Sequence, residues 1–245
     1  MKDDDRAKYA MARTTLVVTY DGAGKPIARG TGFFFRAEER HFVVTNTHVL
    51  GRYCQMRLAG REVAVGVAVE YGMPGLESHA GYLLMPQAPA VEDGVESGYG
   101  FMDIGLIELA ATSMDVVHRH KMFLSASDVR PEALSYATEE VFYRGYPKEF
   151  VEFHGLVRGA WADGYTHFTK VTRVGDRNIS LDRREERIAF GGGAPDSKRN
   201  LRGISGAALL DYDHRLCGVI WGGDSSATWA CPASKLLDCI REYCS

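Results

Sequence analysis

Apolar residues in this chain fall in short runs cut by turn residues, and only near the C-terminus do they recur at helical spacing. Thr14-Thr15-Leu16-Val17-Val18-Thr19-Tyr20 is dense in β-branched residues and stops at Asp21-Gly22-Ala23-Gly24, which predicts a strand running into a hairpin turn. Gly30-Thr31-Gly32-Phe33-Phe34-Phe35 and His41-Phe42-Val43-Val44-Thr45 flank a charged turn, and Val63, Val65, Val67 and Val69 alternate with Ala64, Gly66, Ala68 and Glu70 at the period of a strand. A Gly-, Pro-, Glu- and Ser-rich stretch from Gly72 to Gly100 carries no clear element, and Ile104 to Leu109 is a further strand. Residues 111–136 lack alternation and contain Asp128 and Pro131, so a linker between two lobes is expected over 113–136.

The strand-and-turn texture then resumes. Glu140 to Arg144 stops at Gly145-Tyr146-Pro147, and Val151 to Ala160, Ala207 to Leu210 and Leu216 to Trp221 are strand candidates. Pro232 suits the first turn of a helix whose Leu236, Leu237, Ile240 and Tyr243 share one face. Short strands with one terminal helix, and no amphipathic helices between them, point to an all-β barrel or sandwich rather than alternating βαβ units.

Composition narrows the class without naming a function. Over 245 residues the hydrophobic share is 45% and the charged share 25%, which excludes a disordered tail, a fibre or a coiled coil. Lys+Arg 29 against Asp+Glu 32 gives a net charge of −3, so no electrostatic footprint for nucleic acid or an anionic membrane is expected. Asp3, Asp4 and Asp5 stand where the apolar core of a secretory signal would begin, and no run approaches the roughly 18 apolar residues of a membrane span. The N-terminal segment reads as a solvated lead-in. The five cysteines, Cys54, Cys217, Cys231, Cys239 and Cys244, are odd in number and show no C-x-x-C spacing. They are read as small buried hydrophobes in a reducing cytoplasm, with neither zinc nor another metal or cofactor.

Three segments carry chemistry together: Thr45-Asn46-Thr47-His48-Val49, Met102-Asp103-Ile104-Gly105-Leu106 and Gly203-Ile204-Ser205-Gly206-Ala207. A hydroxyl becomes a useful nucleophile near neutral pH only when a base removes its proton and a third group orients that base. His48 has the imidazole for the base, Asp103 the carboxylate to fix its tautomer, and Ser205 the hydroxyl. The glycines around Ser205 allow close approach of a substrate carbonyl, with the amides of Gly203 and Ser205 as candidate oxyanion donors.

The order His48, Asp103, Ser205, with GTGF ahead of the histidine and GxSG at the serine, resembles the trypsin-like serine peptidases of the chymotrypsin fold. It is most similar to their bacterial Deg/HtrA branch, with motifs of the forms T-N-x-H-V, D-I-A-x-L and G-N-S-G-G. The resemblance runs from about residue 12 to the C-terminal helix. It implies two six-stranded antiparallel β-barrels within one peptidase domain, about 12–112 and 137–231, followed by a helix over 232–244. His48 and Asp103 would come from the first barrel and Ser205 from the second. The implied activity is serine endopeptidase cleavage of a protein or peptide through an acyl-enzyme, without metal or organic cofactor. Ile220, Trp221 and Gly222 would pair with an extended peptide through their backbones.

Ile204 stands where many members of that family carry Asp or Asn, Ala207 replaces a glycine, and Ile220 takes the place of a serine near the aspartate. These departures keep open a second reading, a protease-like peptide-binding module without turnover. Lys198, Arg199, Asn200 and Arg202 make the approach to Ser205 basic, consistent with an acidic substrate side chain or, more simply, with a solvated loop. His118-Arg119-His120 has no completing ligand for a metal, and Gly191-Gly192-Gly193 lacks the strand-to-helix context of a phosphate loop.

Overall fold

The computed structural model describes residues 2–71, 79–84, 88–91, 103–109, 111, 114–132, 134, 139–148, 151–154, 159–162, 164–184, 186–189 and 202–244. The chain is mostly β. Its first lobe holds α1 (Asp3–Met11), β1 (Thr14–Asp21), β2 (Pro26–Ala37), β3 (Arg40–Thr45), α2 (Thr47–Leu58), β4 (Val63–Tyr71), β5 (His79–Leu84), β6 (Ala88–Val91) and β7 (Gly105–Glu108). α3 (Met114–His120) and β8 (Leu124–Ser125) lead to the second lobe. That lobe comprises β9 (Glu140–Gly145), β10 (Val151–His154), β11 (Gly159–Ala162), β12 (Tyr165–Val174), β13 (Ile179–Asp182), β14 (Arg187–Ala189), β15 (Ala208–Asp211), β16 (Leu216–Gly223) and β17 (Ala227–Pro232), and α4 (Ala233–Cys244) follows.

The β1–β2 hairpin forms where the sequence places a turn. Asp21 Oδ1 accepts the N–H groups of Ala23 at 3.1 Å and Lys25 at 2.8 Å, an Asx-type closure that substitutes a side chain for ladder hydrogen bonds. From there the first sheet runs in the order β5-β4-β1-β2-β3-β7-β6, with β8 added in parallel to β2. In the second lobe the order β13-β17-β16-β15-β9-β12 returns to its start through a β12–β13 pairing, so six strands close a barrel.

The expectation of two six-stranded barrels therefore needs correction in the first lobe, which is a curled half-barrel. Among the described residues nothing pairs β5 with β6. β6 carries Pro89, which has no N–H to donate and suits an edge, and α2 fills the concave face with Val49 and Leu50 against Val17, Phe34, Val43 and Val67. Three further elements differ from expectation. The 113–136 stretch holds α3, β8 and a 3-10 turn, Ala126–Asp128, closed by a Ser125/Asp128 capping box. Val151 to Ala160 is not one strand but parts of the β10–β11 hairpin. The N-terminal segment is no solvated lead-in: α1 buries Ala7 and Ala10, stacks Tyr9 on His214 at 3.9 Å and lays Arg6 over the Tyr212 ring at 3.8 Å. Its three aspartates lie in the first turn, where the positive end of the helix dipole favours them.

The Phe33-Phe34-Phe35 run explains how the lobes join. Phe34 points into the first lobe beneath α2, whereas Phe33 and Phe35 belong to a core shared with Phe142, Leu210 and Val219 of the second lobe and Leu236 and Ile240 of α4. A strand buried on both faces needs a continuous apolar run, and this one forms the seam along which the lobes meet. None of the five cysteines is in a disulfide; Cys217, Cys231 and Cys239 are buried, and burial pushes the Cys217 thiol up to about 12. No helix among the described residues is long and apolar enough to cross a membrane.

Candidate active site

Local folding brings the first two candidate residues together. β3 pairs antiparallel with β7, and the register Thr45↔Gly105 sets the chain just before β7 against the start of α2. Asn46 is the N-cap of α2, and its side-chain amide donates to the Asp103 carbonyl, while Thr47 Oγ1 donates to the Ile104 carbonyl at 3.0 Å. His48 thus sits in the first helical turn, where backbone N–H groups lack helical acceptors. Asp103 supplies one: its Oδ1 accepts the His48 N–H at 3.0 Å, and its Oδ2 meets His48 Nδ1. The His48 side chain is 46% exposed, so its other face is open to solvent.

Ser205 lies on the loop that leads into β15, and each successive peptide of that loop from Arg202 has its carbonyl tied down. Arg202 O accepts the Lys148 N–H at 2.6 Å, Gly203 O accepts the Thr31 hydroxyl at 2.7 Å, Ile204 O accepts the Ala207 N–H at 3.1 Å, and Ser205 O accepts the Thr31 N–H at 2.9 Å. In a planar trans peptide the N–H points opposite to the carbonyl. The Gly203 and Ser205 N–H groups are therefore turned away from Lys148 and Ala207, and neither donates to a described group. Glycine is required at two places. Gly203 has φ +105° and Gly206 φ +95°, and a Cβ on them would lie 2.6 Å from the Tyr146 carbonyl oxygen and 1.9 Å from the Thr31 carbonyl oxygen respectively.

The Ser205 hydroxyl donates to the Trp221 carbonyl at 3.3 Å, and no hydrogen bond joins it to His48 among the described residues. Trp221 in turn stacks on Trp229 at 5.2 Å and donates its indole N–H to Asn178 Oδ1 at 3.2 Å. The edge expected to receive a peptide is offset from expectation. Ile220 is fully buried, its N–H donates to Ala207 O at 2.8 Å and its carbonyl accepts the Gly206 N–H at 2.7 Å, so its backbone is spent inside the barrel. β15 covers β16 only as far as Ala208↔Val219, while β17 pairs Gly222↔Trp229 and Gly223↔Thr228 on the opposite edge. From Trp221 to Gly223 this edge of β16 is therefore covered by no strand among the described residues, and the Trp221 carbonyl on it takes the Ser205 hydroxyl.

Of the basic approach, Lys198, Arg199 and Asn200 lie outside the described residues, and Arg202 is exposed. Met102 and Gly191-Gly192-Gly193 also lie outside them. His118 falls on α3 and packs edge-on to His41 at 5.4 Å, and no group of three potential metal ligands gathers among the described residues. Sequence reasoning passed over Thr31, Thr45 and Tyr146, although Thr31 stood in the GTGF motif; its hydroxyl gives no sign in the sequence of bonding across to another lobe.

No protein-family model matches the chain, and no curated protein does. Solved structures do. The serine endoprotease from Yersinia pestis superposes with a TM-score of 0.61 over 99% of this chain at 13% identity, the match covering 66% of that chain. Deg5 matches with a TM-score of 0.52 over 97% of this chain and 94% of its own at 12% identity. The fold is that of the trypsin-like serine proteases. The Rv3671c protease from M. tuberculosis matches in its active form over 95% of this chain and 81% of its own, and in its inactive form over 95% and 89%, at 14% identity and a TM-score of 0.51 each time.

Proposed function

We propose that the protein is a serine endopeptidase. Ser205 Oγ attacks the scissile carbonyl carbon, His48 takes the hydroxyl proton and returns it to the leaving amine, and Asp103 holds the imidazole and stabilises its cation. The Gly203 and Ser205 N–H groups bind the oxyanion, and water then hydrolyses the acyl-enzyme by the same proton path. An extended peptide pairs along the free edge of β16 at Trp221 to Gly223. The observation that carries this reading is the pair of amides at Gly203 and Ser205, without an acceptor among the described residues and each aimed by a fixed carbonyl, together with a His48 that Asp103 holds at two points. Cytoplasmic location belongs to the same proposal and rests on the sequence.

A second reading, a peptide-binding module without turnover, is favoured by the Ser205 hydroxyl bonding to Trp221 O instead of His48. Catalytic hydrogen bonds in free enzymes are commonly long or unformed and tighten when substrate binds. A fluorophosphonate probe decides between the two readings. Stoichiometric labelling of the wild type that disappears in Ser205→Ala, together with loss of peptide cleavage in that variant, is expected. A folded wild type that takes no label at saturating probe is the module.

A further inference from the structure

We infer that Thr31 is the positioning residue of the Ser205 loop, and this rests on the peptidase reading above. Thr31 is 0% exposed, so it cannot touch a substrate. Yet it makes four bonds to three separate segments. Its N–H donates to Ser205 O at 2.9 Å and its hydroxyl to Gly203 O at 2.7 Å. The same hydroxyl accepts the Tyr146 N–H at 2.9 Å at the end of β9, and the Thr31 carbonyl accepts the Thr45 hydroxyl at 2.7 Å. Thr45 precedes Asn46, the cap of the helix that carries His48. Nucleophile loop and base helix are thus both referenced to one buried residue.

The hydroxyl has a specific task in that arrangement. The two candidate oxyanion donors belong to the Arg202–Gly203 and Ile204–Ser205 peptides, whose carbonyls are held by Lys148 and Ala207. The peptide between them, Gly203–Ile204, sets the angle at which the two N–H groups converge, and its carbonyl is held by the Thr31 hydroxyl. Gly203, with φ +105° and no Cβ, offers little resistance of its own to rotation of that plane. Losing the hydroxyl leaves a donor and an acceptor unpaired in a buried site and frees the plane to turn. The consequence falls on the oxyanion, which exists only in the transition state, and not on ground-state peptide binding.

The test is a series of Thr31→Val, Thr31→Cys and Thr31→Ser in the full chain, assayed for kcat, KM, thermal denaturation and affinity for a peptide boronate. Valine keeps the shape and removes the hydroxyl. Thr31→Val is expected to lower kcat about ten- to a hundredfold and weaken the boronate by the same factor, with KM within about threefold, while Thr31→Ser stays near wild type. If Thr31→Val does not fold, Thr31→Cys, a weaker donor of similar size, is expected to fall between Ser and Val in the same two quantities. A folded Thr31→Val or Thr31→Cys with unchanged kcat, a kcat loss without a matching loss for the boronate, or failure of serine to rescue overturns the assignment. A wild type that neither cleaves nor labels refutes the peptidase reading alone. The loop claim is then read from a crystal structure of Thr31→Val, where a turned Gly203 carbonyl is expected and an unmoved loop overturns it.

Discussion

Asp103 holds His48 at two points, its Oδ1 taking the backbone N–H at 3.0 Å and its Oδ2 facing Nδ1 of the ring. The same carboxylate therefore caps the first turn of α2 and sets the tautomer that leaves Nε2 free to act as a base. Asp103→Asn preserves a carbonyl oxygen for the backbone N–H but not a second acceptor for the ring. Its kcat is expected to fall on the order of 10⁴-fold, with Tm changed by only about 4 °C or less. Asp103→Ala should lose the activity and also about 1 kcal/mol of stability from the missing cap. Thermal denaturation of the two variants side by side checks the separation; equal Tm losses would remove the capping role.

The meeting of His48 and Asp103 was legible because patterned strands stand beside both residues, β3 before the helix that carries His48 and β7 after Asp103. Val43 and Val44 lead into His48, Ile104 and Leu106 follow Asp103, and glycines bracket Ser205 in strand-to-turn contexts. The elements that were missed lack such contrast. β12 is buried continuously from Tyr165 to Thr169, with Thr166 and His167 among its interior positions, so its alternation of apolar and polar disappears. α2 buries only Thr47, Val49 and Leu50 and contains Gly51, leaving too narrow an apolar face to announce a helix. α1 buries two alanines, and its hold on the second lobe comes from ring contacts that no sequence period encodes. The bonds of Thr31 join segments 172 and 115 positions apart, which local pattern cannot reveal.

The barrel interior contains a polar cluster that should shape the pH range of stability. Glu186 Oε1 lies 3.1 Å from His167 Nδ1 and accepts the Tyr143 hydroxyl, and the Tyr143 and His167 rings stack at 4.8 Å. Burial works to raise the Glu186 pKa, but His167, Tyr143 and Arg183 outweigh it and leave the carboxyl below its ordinary value. A depressed carboxyl stabilises the fold at pH above its unfolded value, near 4.3, and that contribution is lost as pH falls through the folded value. Tyr143 has the opposite sign, since burial and then Glu186 push its hydroxyl well above 10. Its contribution is complete below about pH 10 and lost as pH rises from there. Glu186→Gln is expected to flatten the acid limb of Tm against pH, where one such group supplies a slope of up to about 1.4 kcal/mol per pH unit. Glu108, lowered by its hydrogen bonds from Arg40, and Asp224, lowered by those from Ser226 and Ala227, also contribute to that limb. An acid limb identical to wild type would show that Glu186 contributes nothing to it.

β16 offers a direct handle on substrate binding. Its edge from Trp221 to Gly223 is covered by β17 on one side and, among the described residues, by no strand on the other. Gly223→Pro removes an N–H and forbids ladder pairing at that position, and the Cβ it adds, 2.7 Å from the Ala227 carbonyl oxygen, makes the β16–β17 turn give way locally. KM for an extended peptide is expected to rise about tenfold or more, one hydrogen bond to the main chain and its neighbours being lost, while fluorophosphonate labelling, which needs no extended peptide, stays near wild type. Ile220→Val should change neither, because both backbone groups of Ile220 are engaged within the barrel. Loss of labelling in Gly223→Pro would mean that the substitution disturbs Ser205 itself.

On the peptidase reading, Ile204 bears on how the site is activated. Secreted relatives of this fold are cut to release an N-terminal amine that pairs with an aspartate directly before the serine, and the resemblance puts Ile204 at that position. Here the side chain is buried over Gly145 in the barrel core, beside Tyr143, Ala207 and Ile220. An ammonium brought there would meet no charge, at a desolvation cost of several kcal/mol. The loop is already ordered without it, through Lys148, Ala207 and both bonds from Thr31. The N-terminal helix is committed elsewhere, with Tyr9 on His214, Arg6 on Tyr212 and Asp3 at 3.0 Å from Arg187. Activity is therefore expected to be the same with a non-removable N-terminal fusion as with a free N-terminus. Trimming through Met11 should cost about 1–3 kcal/mol from the lost ring and cation–π contacts and bring no gain in labelling rate. Ile204→Asp, which restores the charge without its partner, should cost several kcal/mol and abolish labelling. Labelling that appears only after cleavage to one particular new N-terminus would overturn the argument, because it would require a receptor for the amine that Ile204 cannot be.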